Sequence, residues 1–378
     1  MVNEFLTPVS EDLREFAMQL DSFSIGNGLQ FDGEPEEKSI VILGVRETRG
    51  GTESFNPELE FDGLRKQLYQ LKKGNWHLPV YDLGDLHAGA TREDTYFAFL
   101  KIQEELLKKK AVLVILGGSS NLIYWQFRAF DSIKHTINLT CIDNRFRLGV
   151  DSEELNSNNY LSKIITDEPH SLFEYTHLGH QTYFVAQEEL DLMEHLNFDV
   201  KRLGKLTENL SESEPELRNS DLVALNLEAV QSSDFRSVTD LSPNGFNSRE
   251  ICTLARYSGI NNKVQSFGVY NFKAINIPSD ELLLAEILWY FIEGKNHARE
   301  ILNFEKEDAY ETYFVQIPEQ DLIFYKDLKN EQWWMELGEL NDSDPLNKQV
   351  IPCSAKDYEE SLKGQIPERW WKSYKKLY

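Results

Sequence analysis

Positive charge, cysteine and long apolar runs are all scarce in this sequence. Lysine and arginine together number 39 against 63 aspartates and glutamates, a formal net charge of −24. That excess repels a nucleic-acid backbone or an acidic membrane unless a basic patch overrides it. The short clusters "LYQLKKGNW" and "LLKKKAV" read as solvated helix ends, so neither nucleic acid nor membrane is expected as a partner. The three cysteines, Cys141, Cys252 and Cys353, are too sparse for a disulfide framework or a CxxC metal site. They fit a reducing compartment, where they act as small core residues. No window approaches the roughly 18 apolar residues of a membrane helix, and "MVNEFLTPVSEDLREF" lacks the basic start and apolar run of a signal peptide. A cytoplasmic protein is the expectation.

What is abundant is alternation. A chain of 378 residues, 41% hydrophobic, can bury a sizeable core. Its apolar runs predict strands over 38–45, 78–86, 111–118, 137–148, 181–186, 221–230 and 264–272. Amphipathic stretches predict helices over 58–71, 92–110, through "NLIYWQFRAF", and over 248–259 and 279–295. Such alternation implies an α/β fold, a mainly parallel sheet covered by helices on both faces. Its site is expected at the carboxyl ends of the strands. Beyond about residue 305 the texture changes: "DLIFYKDLKNEQWWMELGE" predicts a hairpin with aromatic faces, and "SAKDYEESLKG" and "PERWWKSYKKLY" predict short helices. The expected division is an N-terminal helical segment (1–37), an α/β domain (38–305) and an aromatic-rich C-terminal appendage (306–378). The acidic stretch "TENLSESEPELRNSD" (207–221) is expected to be a loop within the domain.

Three strand ends carry the polar residues. The run Ala111 to Leu116 ends in Gly117 and Gly118, a sterically open turn, followed by Ser119, Ser120 and Asn121, none of them a strong metal ligand or base. In "CIDNRFRLG", Asp143, Arg145 and Arg147 fall at i, i+2 and i+4 and share a face if the segment stays extended. In "LVALNLEAV", Asn226 and Glu228 do the same.

The order and spacing of these strand ends resemble the ureohydrolase superfamily of arginase, agmatinase and formimidoylglutamase over roughly residues 38 to 295. "LGV" (43–45), "DLGDL" (82–86), "SPNGFNSREICTL" and "FGVYNF" agree with the same resemblance. It implies a three-layer α/β/α arginase-like fold and a site with two manganese ions. Those enzymes hold the metals on Gly-Gly-Asp-His-Ser, Asp-Ala-His-x-Asp and Ser-x-Asp-x-Asp strand ends. Here the first motif's Asp and His fall on Ser119 and Ser120. In the second, Asp143 is kept while the His and last Asp fall on Arg145 and Arg147. The third pair falls on Asn226 and Glu228, and the late-strand Glu on Asn271. Two carboxylates among the six metal-ligand positions, faced by two guanidiniums that stay protonated, cannot hold four positive charges or generate hydroxide.

The expectation is therefore an arginase-fold pseudoenzyme with no metal and no cofactor. Arg145 and Arg147 stand in for the ions against Asp143 and Glu228, with Arg145 the deeper of the two, unless all these charges are merely solvated. It would act by binding a protein partner or a small anion at Arg145 and Arg147, and a homo-oligomer stays open. The alternative is a working formimidoylglutamase-type hydrolase of C–N amidine bonds with altered manganese ligands. His177 and His180 form an HxxH pair in what is expected to be a loop, without the helical frame of a zinc site. Asp82 and Asp85, beside His87, read as structural support, and the paired tryptophans 333–334 and 370–371 as a small core of the appendage.

Overall fold

A computed structural model describes residues 4–51, 59–149, 154–273, 277–298, 307–318, 320–329, 331–338 and 349–377. In chain order the first part runs β1 (Leu6–Thr7), α1 (Glu11–Gln19), β2 (Ile40–Arg46), α2 (Asp62–Gln70), β3 (Val80–His87), α3 (Arg92–Lys108), β4 (Val112–Leu116), α4 (Leu122–Arg128) and β5 (Ile137–Ile142). It continues through α5 (Tyr160–Thr166), β6 (Leu172–His180), α6 (Gln187–His195), β7 (Asp199–Arg202), α7 (Leu203–Glu208), α8 (Glu214–Arg218), β8 (Leu222–Asn226), α9 (Ser248–Gly259), β9 (Ser266–Tyr270) and α10 (Pro278–Asn296). The last part is β10 (Tyr310–Gln316), β11 (Asp321–Asp327), β12 (Trp333–Glu336), β13 (Val350–Cys353), α11 (Ala355–Ser361) and α12 (Glu368–Leu377).

Strands β1 to β9 form one sheet in the order β1-β3-β2-β4-β9-β8-β5-β6-β7. All its pairings are parallel except that of the edge strand β1 on β3. Alternate side chains of a strand face opposite ways, and β2 displays the consequence. Ile40 and Ile42 join an apolar cluster with Leu64, Leu254 and Leu288 of α2, α9 and α10. Val41 and Leu43 join a second cluster with Phe99, Phe127 and Leu161 of α3, α4 and α5. This is the three-layer arrangement that the alternation predicts. Helix starts follow local chemistry: Thr91 with Asp94 and Asn247 with Glu250 form capping boxes on α3 and α9. Among the described residues, no helix is long and apolar enough to cross a membrane.

Several elements differ from expectation. The segment 181–186 is not a strand; the strand is β6, which ends at His180 and pairs with β5 and β7, and its sequel holds only a turn at Thr182–Phe184. Hence His177 and His180 lie on a buried strand and not in a loop. The acidic stretch 207–221 contains α8, started by Pro215 at its first turn, because Leu217 has a buried position to fill. The N-terminal segment is not helical alone, since β1 extends the main sheet. The expected hairpin at 321–339 exists as β11–β12, within a four-stranded antiparallel sheet β10-β11-β12-β13. Trp333 and Trp370 pack around that sheet's own apolar cluster, while Trp371 is exposed. The expected boundary at 305–306 lies outside the described residues.

Candidate functional site

Strands β4, β9, β8 and β5 are neighbours, so residues distant in sequence stand side by side at their carboxyl ends. A hydrogen-bonded row crosses all four. The Ser120 amide donates to Asn271 Oδ1 (2.9 Å), Asn271 Nδ2 donates to Asn226 Oδ1 (3.1 Å), and Asn226 Nδ2 donates to Asp143 Oδ2 (2.8 Å). The Glu228 amide also donates to Asn226 Oδ1 (3.0 Å), which turns Glu228 back toward the row.

Arg147 closes it. β5 stops at Ile142, and the extended run that would align Asp143, Arg145 and Arg147 on one face does not continue. Instead Arg147 adopts a left-handed backbone, φ 60°, which folds its side chain back over Asp143. Its Nε donates to Asp143 Oδ2 (2.9 Å), and its Nη2 donates to Asp143 Oδ1 (3.1 Å) and to Glu228 Oε2 (2.5 Å). The guanidinium is 2% exposed. Burial works against its charge, but Asp143 and Glu228 outweigh burial and hold its pKa above the usual arginine value. Burial raises the Glu228 pKa, Arg147 opposes that rise and Asp143 adds to it.

Arg145, expected to be the deeper of the two, is the outer one. Its side chain is 29% exposed, 3.7 Å from Asp240 and stacked 4.7 Å from the centre of the Phe184 ring. Of the six candidate positions, Ser120, Asp143, Arg147, Asn226 and Glu228 are thus drawn into one network and Arg145 stands at its mouth.

The donor set does not suit a dimanganese centre. Among the described residues, no group of three or more His, Cys, Asp or Glu could hold a metal ion. Both carboxylates are bonded to one guanidinium, and Ser120 Oγ, buried here, has no hydrogen-bond partner among the described residues. A guanidinium supplies charge to carboxylates but no lone pair to a metal.

The two glycines serve packing. A Cβ on Gly117 would lie 2.2 Å from the Tyr270 ring, and one on Gly118 would lie 1.9 Å from the Glu47 carbonyl oxygen. Tyr270 is fully buried and donates from its hydroxyl to Gln126 Oε1 (2.8 Å). Ser119 Oγ donates to Asn121 Oδ1 (2.5 Å), and Asn121 Nδ2 donates to the Tyr96 hydroxyl (2.7 Å).

His177 supports the row from behind. Its Nε2 lies 3.0 Å from the Asp143 carbonyl oxygen and its Nδ1 2.8 Å from the Tyr175 hydroxyl. Burial pushes its pKa down to about 3 and that of His180 to about 4, the latter with help from Arg202. Asp82 and Asp85 are bonded to the buried Arg65, at 2.9 and 2.7 Å, and Arg46 also reaches Asp85. They are scaffold. Glu47, which sequence reasoning missed, is fully buried beside Arg49 and accepts from Thr95 Oγ1 at 2.9 Å. Its place just past the end of β2 was the available signal.

The likenesses to known proteins are structural. No protein-family model matches the sequence, and no curated protein matches it. Among solved structures, the chain is similar to Trypanosoma cruzi formiminoglutamase with Mn2+ (TM-score 0.62, 13% identity, 69% of this chain and 95% of that one). It is similar too to Bacillus subtilis formimidoylglutamase (TM-score 0.65, 14% identity, 74% and 93%) and to the agmatine ureohydrolase of Thermoplasma volcanium (TM-score 0.58, 14% identity, 75% and 97%). The chain has the arginase-type fold that these hydrolases share. Nearly the whole of each neighbour is matched by about three quarters of this chain or less, so the chain carries length that they lack.

Proposed function

We propose that this protein is a non-hydrolytic form of the arginase fold that works by binding. One observation carries the reading: a single buried guanidinium, Arg147, bridges Asp143 and Glu228 where the related enzymes' metals would need free carboxylates. A row whose two carboxylates are both bonded to Arg147 does not fit a metal ion that would generate hydroxide at neutral pH. Arginine does not deprotonate, and the amides of Asn226 and Asn271 are neither acids nor bases. What the cleft offers a ligand is Arg145, partly exposed and aromatic-backed, a place for a small anion. A protein partner is the other kind of ligand this reading admits.

A second reading, a formimidoylglutamase-type hydrolase of amidine C–N bonds with altered manganese ligands, draws support from the names of the structural neighbours. It requires Arg147 to leave both carboxylates. The deciding experiment is purification in manganese, followed by elemental analysis and assays for hydrolysis of formimidoylglutamate, agmatine and arginine. We expect no stoichiometric manganese and no turnover above background. Manganese that is lost in Asp143→Ala, together with turnover that depends on Glu228, would replace the first reading with the second.

A further inference from the structure

The two sheets keep separate apolar interiors. Among the described residues, neither cluster around the nine-stranded sheet includes one beyond Ile292, and neither cluster around the four-stranded sheet includes one before Ala309. Charged side chains make many of the contacts that cross between the two units among the described residues. Helix α12 carries Arg369, Lys372 and Lys376 at spacings of three and four, one stripe along its length. Arg369 pairs with Glu216 at 3.1 Å and Lys372 with Asp199 at 2.8 Å. Lys376 lies 5.9 Å from the centre of the Phe198 ring; burial lowers its pKa, and Glu174 and Asp199 partly offset that fall. From the other side, Arg218 donates from Nη2 to the carbonyls of Trp333 (2.9 Å) and Cys353 (3.0 Å) and lies 4.5 Å from the centre of the Trp334 ring. Two recesses of about 790 and 700 Å³, lined by residues of both units, run along the same seam.

We infer that Glu174, Asp199 and Glu216 form an acidic docking strip for a basic helix, occupied in cis by α12, so that charge latches the C-terminal unit onto the main sheet. The inference is independent of whether the arginine-filled site hydrolyses anything. An apolar seam would be strengthened or unmoved by salt. The Lys372–Asp199 pair, with side chains 19% and 29% accessible, is weakened as the Debye length falls from about 10 Å at 0.1 M to about 3 Å at 1 M, while the Arg369–Glu216 pair, 15% and 6% accessible, is screened less.

The test uses the full chain with spin labels at the exposed positions Lys205→Cys and Lys375→Cys, which lie on opposite sides of the seam. The expected result is one narrow distance distribution at about 0.1 M salt that lengthens and broadens toward 1 M. Arg369→Glu/Lys372→Glu is expected to show the broad distribution already at low salt. The charge-swapped pair Lys372→Asp/Asp199→Lys is expected to regain the narrow one. Should the reversed variant fail to fold, the salt series on the labelled parent and the swapped pair still decide. A distribution that salt leaves unchanged, or a swap that does not restore it, overturns the latch.

Discussion

Nε of Arg147 donates to Oδ2 of Asp143 across 2.9 Å, four residues back along the chain and outside any helix. The contact exists because Arg147 takes a left-handed backbone conformation that non-glycine residues seldom adopt. A strained residue held in place by three charged hydrogen bonds is a structural commitment. It makes Arg147 the keystone of the strand-end row.

The first prediction concerns that keystone. Arg147→Met strands two buried carboxylates and is expected to cost about 3 to 5 kcal/mol. Arg145→Ala, at the open mouth, is expected to cost about 0 to 1 kcal/mol. Urea denaturation distinguishes them, and Arg147→Met/Asp143→Asn should recover part of the larger loss. Equal midpoints for the two single variants would remove Arg147 from its role.

The second concerns the double glycine. Gly117→Ala drives a methyl group into the Tyr270 ring and is expected to destabilise by about 1 to 3 kcal/mol. Gly117→Ala/Tyr270→Leu should regain part of it. Ser120→Ala deletes a buried hydroxyl that has no partner among the described residues and is expected to be neutral or stabilising. Thermal melts of the three variants check the set; a harmless Gly117→Ala contradicts the packing account.

The third is a pH dependence. His177 and His180 have pKa values of about 3 and 4 in the fold, below the unfolded value of about 6.5. Below pH 6.5 the unfolded chain therefore binds protons that the fold refuses. The contribution of these two histidines should be flat above that pH and fall as the pH drops toward 4 and then 3, by up to about 1.4 kcal/mol per pH unit for each. Imidazole NMR signals that stay unshifted from pH 7.5 to 5 are expected. A midpoint near 6.5 would place the rings in water.

The fourth offers the row metal-binding side chains. Ser120→His/Arg147→Asp/Asn226→Asp replaces the bridging guanidinium with hard anionic and imidazole donors of the kind manganese prefers. Titration calorimetry is expected to detect manganese binding in this variant and none in the parent. Equal behaviour of the two proteins would mean that Arg147 is not what excludes the metal.

The regular alternation of strands such as Ala111–Leu116 with helices such as 92–110 determined the parallel, doubly covered sheet, because apolar runs flanked by amphipathic helices have few other ways to bury themselves. That Ser120, Arg147 and Asn226 stand at these strand ends was equally legible, since residue identity does not depend on coordinates. Which arginine goes inside was not legible: the resemblance pointed to Arg145, alternation does not separate it from Arg147, and the left-handed backbone at Arg147 turns that side chain inward. Nor could the sequence place Ser120 beside Asn271, 151 residues away. That neighbourhood follows from the strand order β4-β9-β8-β5, which is chosen by the packing of the whole sheet and not by any local run of residues.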